Sequence, residues 1–336
     1  MMKQNVTMKD IAERIGVSNV TVSKALNDKE GVSEELRAKI KEVADEMGYR
    51  YNIAAKSMKK GYSYNVGVIV AERFAEDLQS FYLRFYQNIC EALERYGYLG
   101  MLHILSHAEE RELKLPKMYN EMKVDGLIIL GQLSKPYIEL LKDIEIPTIF
   151  LDFYDEHDEF DSVISDNFYS SYEITNYLIN HGHRDIAFVG NIYATSSIQD
   201  RFLGYYKSLL EHGMDLRKDY IINDRDVDGK FIDLVMPDDM PTAFVCNCDR
   251  VAYNLINQLK KSGYKIPDDC SVVGFDNDIF ATLSEPKLTT VETNMEEMSR
   301  TAIKSIMRKI EDPDRETGRV LVKGKIVYRD SVKEIR

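Results

Sequence analysis

Residues 7–27, TMKDIAERIGVSNVTVSKALN, constrain this chain more than any other stretch, because they spell two short capped helices joined at a glycine. Thr7 with Asp10 three residues on makes a capping-box-like start, its hydroxyl placed to accept an otherwise unpaired helix N–H. Ile11, Ala12 and Ile15 then share one helical face. Gly16 permits the turn, and Ser18 is placed to cap a second helix that turns Val22, Ala25 and Leu26 inward. That leaves Asn19, Val20, Thr21, Ser23 and Lys24 outward, all short or flexible enough to reach base edges or phosphates. A third helix is expected with Ser33 as its cap, Leu36, Ile40, Val43 and Met47 as its apolar stripe, and Gly48 as its stop. Three such helices are the minimum that can push one of them into a major groove. Most capped amphipathic helix pairs bind nothing, so this pattern needs support from the rest of the chain.

Charge gives some. The 336 residues carry a net charge of −12, which looks wrong for a DNA binder until it is divided. Residues 1–61 hold 12 Lys/Arg against 9 Asp/Glu, so the excess there is three positive charges and the remainder is strongly acidic. A basic head on an acidic body confines DNA contact to one end. With 44% hydrophobic residues, the chain can bury large cores in two or three domains. After residue 61, β-type runs at 66–70, 127–130, 148–151, 186–189, 243–246 and 271–273 alternate with amphipathic helices. Those helices end at Gly97, Gly182, Gly213 and Gly263. Recurring βα units imply parallel sheets covered by helices.

Several function classes are excluded on the same residues. Cys90, Cys246, Cys248 and Cys270 are too few and too irregular for a disulfide framework, and a cytoplasmic, reduced protein is expected. No apolar run suggests a signal peptide or a membrane span. Cys246-x-Cys248 beside Asp249 lacks a second ligand pair, and His181-Gly-His183 sits at a helix end, so no metal is expected. The carboxylate run 152–161 reads as a solvated loop apart from Asp152. No nucleophile–base pair, phosphate-binding loop or dinucleotide fingerprint appears, so neither an enzyme nor a cofactor is expected.

Residues 49–61, YRYNIAAKSMKKG, are short, basic and end at a glycine. With them the chain resembles the lac repressor (LacI) family of bacterial transcription regulators. The resemblance spans the whole chain and is carried by VTMKDIAERIGVSNVTVSKALN, the NIAAKSM hinge, NHGHRDIAFVG, the RFLGY run and SVVGFDN. It implies an α/β protein with an N-terminal all-α helix-turn-helix head and two doubly wound parallel-sheet lobes like those of periplasmic sugar-binding proteins. The head would occupy 1–48, the hinge 49–61, and the effector-binding and dimerisation domain 62–336. Within that domain one lobe would be about 62–163 and 293–322, the other about 164–292 and 323–336, with ligand held between them.

By that family match, Asn19, Val20 and Lys24 are base-reading positions, and Thr7, Ser18, Thr21, Ser23 and Asn27 contact phosphates. Asn can pair with adenine, Val can touch a thymine methyl and Lys can donate to guanine, whereas phosphate contacts position without specifying. The alternative for each is an ordinary solvated helix face. In the hinge, Asn52, Ala55, Met58 and Lys59 are the minor-groove positions, with Met58 where the family usually places a wedging leucine. A helix that short is unstable alone in water, so it would order only when two copies pack on DNA; the alternative is a flexible linker. Arg201 and Asp276 match the family's ligand-binding arginine and aspartate, Asp152 and Ser197 match positions that contact ligand in some members, and Tyr82 would offer an aromatic wall. Otherwise Arg201 and Asp276 simply pair across the cleft and Tyr82 is core. Two departures alter the pocket: Cys248 stands where relatives often carry asparagine, and Val227 where many carry a stacking aromatic.

The expectation is therefore a homodimeric repressor that binds a near-palindromic operator in double-stranded DNA and answers to a small molecule, a saccharide. The alternative is a catabolite-control-type regulator that uses a phosphoprotein co-repressor.

Overall fold

A computed structural model describes residues 6–49, 61–75, 81–156, 160–226 and 229–335. The hinge positions Asn52, Ala55, Met58 and Lys59, and Val227, lie outside the described residues. The chain divides into two compact units, Met1–Tyr62 and Ser63–Arg336.

The first unit contains helices α1 (Met8–Ile15), α2 (Asn19–Leu26) and α3 (Glu34–Glu46). Thr7 and Asp10 form the reciprocal capping box. The Ser18 hydroxyl accepts from the Thr21 N–H at 3.0 Å, and Ser33 caps α3. Gly16 is left-handed at φ 78°, which lets α1 stop and the chain turn within two residues. Ile11, Ala12, Val22, Ala25, Ile40 and Ala44 make the core, with Ile15, Leu26, Leu36, Val43 and Met47 packed at its margin. Arg37 of α3 donates to the carbonyls of Ala25 and Lys29 at 3.2 and 2.8 Å. It thereby satisfies acceptors at and just beyond the end of α2 that no helix continues to pair.

The second unit holds two six-stranded sheets among the described residues. The first contains β1 (Asn65–Ala71), β2 (Leu99–Leu105), β3 (Gly126–Leu130), β4 (Thr148–Leu151), β5 (Asp161–Ser165) and β11 (Arg319–Val322), in the order β11-β5-β4-β3-β1-β2 and parallel throughout. The second contains β6 (Ile186–Val189), β7 (Ile221–Ile222), β8 (Ala243–Cys246), β9 (Ser271–Asp276), β10 (Thr289–Glu292) and β12 (Lys325–Val327), ordered β12-β10-β9-β8-β6-β7, with β12 antiparallel. Four main helices in this unit matter below: α4 (Phe81–Glu94), α5 (Asn167–Asn180), α6 (Ser196–Glu211) and α7 (Asp249–Lys261). A fifth, α8 (Met295–Glu311), packs on the first sheet. The chain therefore passes between lobes three times, at residue 166, at 293–294 and at 323–324.

Both central sheets are apolar on both faces, with separate cores on each side, as parallel sheets under helices require. All six runs read from the sequence lie inside β1, β3, β4, β6, β8 and β9. The edge strand β2 escapes such a reading because it has no buried run: Leu99, Leu102 and Ile104 are exposed. Gly97, Gly182, Gly213 and Gly263 all take positive φ at helix ends. The acidic run departs from expectation. Asp161 is 4% exposed on β5, accepts from the N–H groups of Thr317 and Gly318 and pairs with the buried Lys309 at 3.2 Å. It is a strut between β5 and the segment entering β11, not a solvated loop residue.

Gly204, inside the RFLGY run, sits where α5 and α6 cross, and a Cβ there would strike the carbonyl of Phe168 and the N–H of Tyr172. Gly204→Ala is expected to destabilise this domain by about 1–3 kcal/mol through forced separation of two packed helices. Urea unfolding measures it, and an unchanged midpoint would remove the close-approach explanation for that glycine.

Candidate DNA-reading face and interlobe cleft

On the head, Asn19, Val20 and Lys24 are all solvent-exposed on α2, and Val20 is 66% exposed, with no core role. Thr7 and Ser18 are exposed at the helix starts, while Thr21 and Ser23 are partly covered. Thr21 and Ser18 share a hydroxyl–hydroxyl hydrogen bond of 2.8 Å. Asn27 serves its own helix: its amide donates to the Ser23 carbonyl at 2.7 Å. Lys24 forms no ion pair among the described residues, and its Nζ lies near Gly31. This face offers donors, one apolar tip and a cation on a single short helix, the set a major groove reads.

In the second unit, a cleft of about 1580 Å³ lies between the two sheets. Its walls include residues at or within two positions of strand C-termini: Arg73 after β1, Gln132 after β3, Asp152 after β4, Asn191 after β6, Asn247 and Cys248 after β8, and Asp276 at the end of β9. Strand order reverses between β1 and β3 in one lobe and between β6 and β8 in the other, and ligands settle outside such reversals.

Arg201 comes from α6 and is 6% exposed. Its Nε donates to Asn167 Oδ1 at 2.8 Å, its Nη1 to the Asn247 carbonyl, and its Nη2 to Asp276 Oδ1 at 3.3 Å. The guanidinium also lies 3.7 Å from the ring centroid of Phe275. Arg201 and Asp276 thus pair within one lobe. They do not reach across the cleft, because α6 packs on the same sheet that β9 belongs to. Burial pushes the Asp276 carboxyl up, and Arg201 opposes that by attraction and hydrogen bonding.

The opposite wall carries Tyr82 and Asp152. The Tyr82 hydroxyl donates to Asp152 Oδ2 at 3.1 Å, and its ring packs on Phe74 and Phe81. Tyr82 therefore joins the cleft lining and the core margin at once. Burial lifts Asp152 to about 7, with Arg201 pulling down and Asp276 pushing up. Ser197 completes the set from the far lobe: its hydroxyl donates to the Asp152 carbonyl at 3.1 Å. Two further bonds join the lobes beside it, from the Ser196 N–H to Gln132 Oε1 at 2.8 Å and from the Tyr154 hydroxyl to Asp200 Oδ1 at 2.9 Å. All five cleft residues singled out in the sequence lie within this one region.

The structure adds residues that the sequence reading passed over. Asn247, one position before Cys248, is buried; its amide donates to the Val189 carbonyl and to Asp224 Oδ2, both at 2.9 Å. Asp224 also binds Arg225 at 2.7 Å. Phe231 lines the cleft, with the guanidinium carbons of Arg225 and Arg250 at 4.9 and 4.4 Å from its ring centroid. Glu110, 6% exposed, pairs with Arg73. Position after a parallel strand was the available signal for Asn247 and Arg73. No such signal marked Phe231. The cysteines divide: Cys246 is core, whereas Cys248 faces the cleft, where burial lifts its thiol to about 12. His183 bonds Thr242 Oγ1 and the Lys333 carbonyl at 3.0 and 3.1 Å, a structural role. Among the described residues no cluster of metal-binding side chains occurs, and no helix is long and apolar enough to cross a membrane.

Comparison with known proteins agrees with this division. Residues 7–52 match the family of bacterial regulatory proteins of the lacI family, and residues 175–332 match the periplasmic binding protein-like domain. The HTH-type transcriptional repressor PurR of Vibrio campbellii is 28% identical, over 98% of this chain and 99% of its own. The probable HTH-type transcriptional repressor ExuR of Bacillus subtilis is also 28% identical, with the same coverage. Among solved structures, the lac repressor dimer bound to operator and the anti-inducer ONPF superposes with a TM-score of 0.76 at 21% identity, over 98% of this chain and 100% of that one. The transcriptional regulator CelR–cellobiose complex does so with 0.71 at 23%, over 97% and 100%. A helix-turn-helix head joined to two parallel-sheet lobes around a cleft, matched along nearly its whole length by repressors, makes this chain a LacI-family DNA-binding transcriptional repressor with a periplasmic-binding-protein-like effector domain.

Proposed function

We propose that this repressor works as a homodimer, reads a near-palindromic operator through Asn19, Val20 and Lys24, and is controlled by a saccharide held in the interlobe cleft. Thr7, Ser18, Thr21, Ser23 and Asn27 would meet phosphates, and Asn52, Ala55, Met58 and Lys59 the minor groove. A DNA target puts the protein in the cytoplasm. The observation that carries the ligand reading is the placement of Arg201 and Asp276 on one lobe against Asp152 and Tyr82 on the other, with Ser197 between them. A guanidinium, two carboxylates and a phenol offer both donors and acceptors to sugar hydroxyls, and Phe74, Phe81 and Phe231 add apolar wall. Support for a dimer comes from the edge strand β2, where exposed Leu102 and Ile104 share one face and leave apolar surface that a monomer has reason to cover.

Ligand contacts on both lobes would favour one closure of the cleft, shift the lobe that joins the hinge, and so change operator affinity. Operator must then change ligand affinity by the same factor. A thermal-shift screen of mono- and oligosaccharides tests the ligand class. No stabilisation by any sugar, together with capture of a phosphorylated protein, would replace the saccharide by a protein co-repressor.

Lys24→Ala removes one cation from the exposed face of α2 and touches no core residue. Operator affinity is expected to fall about 5- to 150-fold, with specificity relaxed at one base pair and ligand binding intact. Fluorescence anisotropy on operator variants reads this; equal loss on every sequence would make Lys24 a phosphate contact instead.

A further inference from the structure

Arg225 is a second guanidinium of the cleft wall, three residues beyond the end of β7. An antiparallel bridge sets it directly opposite Phe231, so the two side chains share a face. Behind it lies Asp224, 1% exposed. That carboxylate accepts from the Asn191 N–H at 2.8 Å and from the Asn247 amide at 2.9 Å. It also accepts from Arg225 Nε and Nη2 at 3.0 and 2.7 Å. Nη2 reaches Asn247 Oδ1 as well, at 3.3 Å, and the Asn191 side-chain amide donates to the Arg225 carbonyl at 3.1 Å. Nη1 makes no hydrogen bond among the described residues. The guanidinium is thus fixed by one edge, and the 12% of the side chain still exposed belongs to the cleft lining.

The surroundings leave that donor edge unanswered. Cys248 beside it offers only a weak thiol. Asp276 is already held by Arg201, and the Asp224 charge is shared among three donors. Phe231 lies between the guanidinium carbons of Arg225 and Arg250, at 4.9 and 4.4 Å from its ring centroid. Lys230, next to that ring, is exposed and forms no ion pair among the described residues. The cleft as a whole is lined by seven Lys or Arg against five Asp or Glu, in a chain whose net charge is −12. A local excess of cations in an acidic molecule favours a ligand that brings negative charge. We propose that Arg225 receives an oxyanion carried by the effector, so that the effector is an acidic sugar, a hexuronate or a sugar phosphate. This rests on the saccharide reading of the cleft and names the class of saccharide. A guanidinium already oriented by a buried carboxylate binds such a group with little further loss of side-chain freedom.

The test titrates the full chain by calorimetry with glucose, galactose and cellobiose, with glucuronate and galacturonate, with glucose 6-phosphate and fructose 6-phosphate, and with citrate. An acidic sugar should bind about 10- to 150-fold tighter than its neutral counterpart, the contribution of one charged hydrogen bond. Whether the uronates or the phosphates respond identifies the oxyanion. Arg225→Gln should erase that preference while a neutral sugar binds as it does to the parent. Arg225→Lys keeps a cation beside Asp224 but loses the fork, so it should melt like the parent and retain only part of the preference. An Arg225 that merely neutralises Asp224 gives a different pattern: glutamine lowers the melting temperature, lysine does not, and the acidic-to-neutral ratio is unchanged in both. That pattern overturns the proposal. Binding of the neutral sugars as tightly as the acidic ones also overturns it, and leaves the saccharide reading standing. If citrate alone binds, or nothing does, the saccharide reading falls and the acidic sugar with it.

Discussion

Arg201→Ala is expected to abolish the ligand response while leaving the head able to bind operator. Arg201 is 6% exposed and ties Asn167, Asn247 and Asp276 together through three of its N–H groups. A charged hydrogen bond from Arg201 to the effector would contribute about 1.5–3 kcal/mol, so its loss should lower effector affinity about 10- to 150-fold. Loss of the guanidinium also leaves Asp276 without its partner, 3.3 Å away in the parent. Breaking a buried ion pair from one side costs about 3–5 kcal/mol, so the melting temperature of this domain should drop as well. Lysine should not rescue, since a single ammonium cannot span three acceptors in the fork geometry that arginine presents. Asp276→Asn separates the two effects, because it keeps the shape of the pocket and much of its hydrogen bonding. Operator titrations with and without the sugar identified by thermal shift also give the sign. With an inducer, both variants stay on DNA at ligand levels that release the parent. With a co-repressor, they fail to bind when ligand is added. A variant that responds at the parent's ligand concentration would take that residue out of the proposed site.

Operator affinity should fall about 10³- to 10⁵-fold between 50 and 200 mM salt, if two heads together neutralise six to ten phosphates. The head segment, residues 1–61, carries an excess of three positive charges per chain, while the rest of the molecule is acidic. Non-specific attraction is therefore limited to that segment and opposed by the body, and the slope is set by the phosphates the two heads neutralise. A full operator should bind far more tightly than a single half-site, since the second head binds at high effective concentration once the first is placed. Anisotropy titrations over a salt series on both DNAs measure slope and symmetry. A shallow slope, or equal affinity for half and full sites, would count against the dimeric arrangement.

The sequence by itself determined the elements whose causes are local. The caps Thr7, Ser18 and Ser33, the glycines that end helices, and the apolar periodicities of the head and of six buried strands act over three to ten residues, and all are present in the structure. The exposed face of α2 that we propose reads bases is legible for the same reason, because Val20 has no partner to fold against. Edge strand β2 was not legible, since its exposure leaves no buried run to read. Asp161 looked like one more solvated carboxylate until residues 309, 317 and 318 were brought to it from the far end of the chain. The cleft depended most on tertiary structure. Family motifs named Arg201, Asp276, Asp152, Ser197 and Tyr82, but which of them share a lobe follows from three chain crossings between two sheets. That arrangement puts Arg201 and Asp276 on one wall, already joined, and leaves Asp152 on the other with an acceptor open. Charges and residue types are carried by the sequence, whereas the hydrogen bonds still unmade in a cleft depend on what long-range packing has already paired.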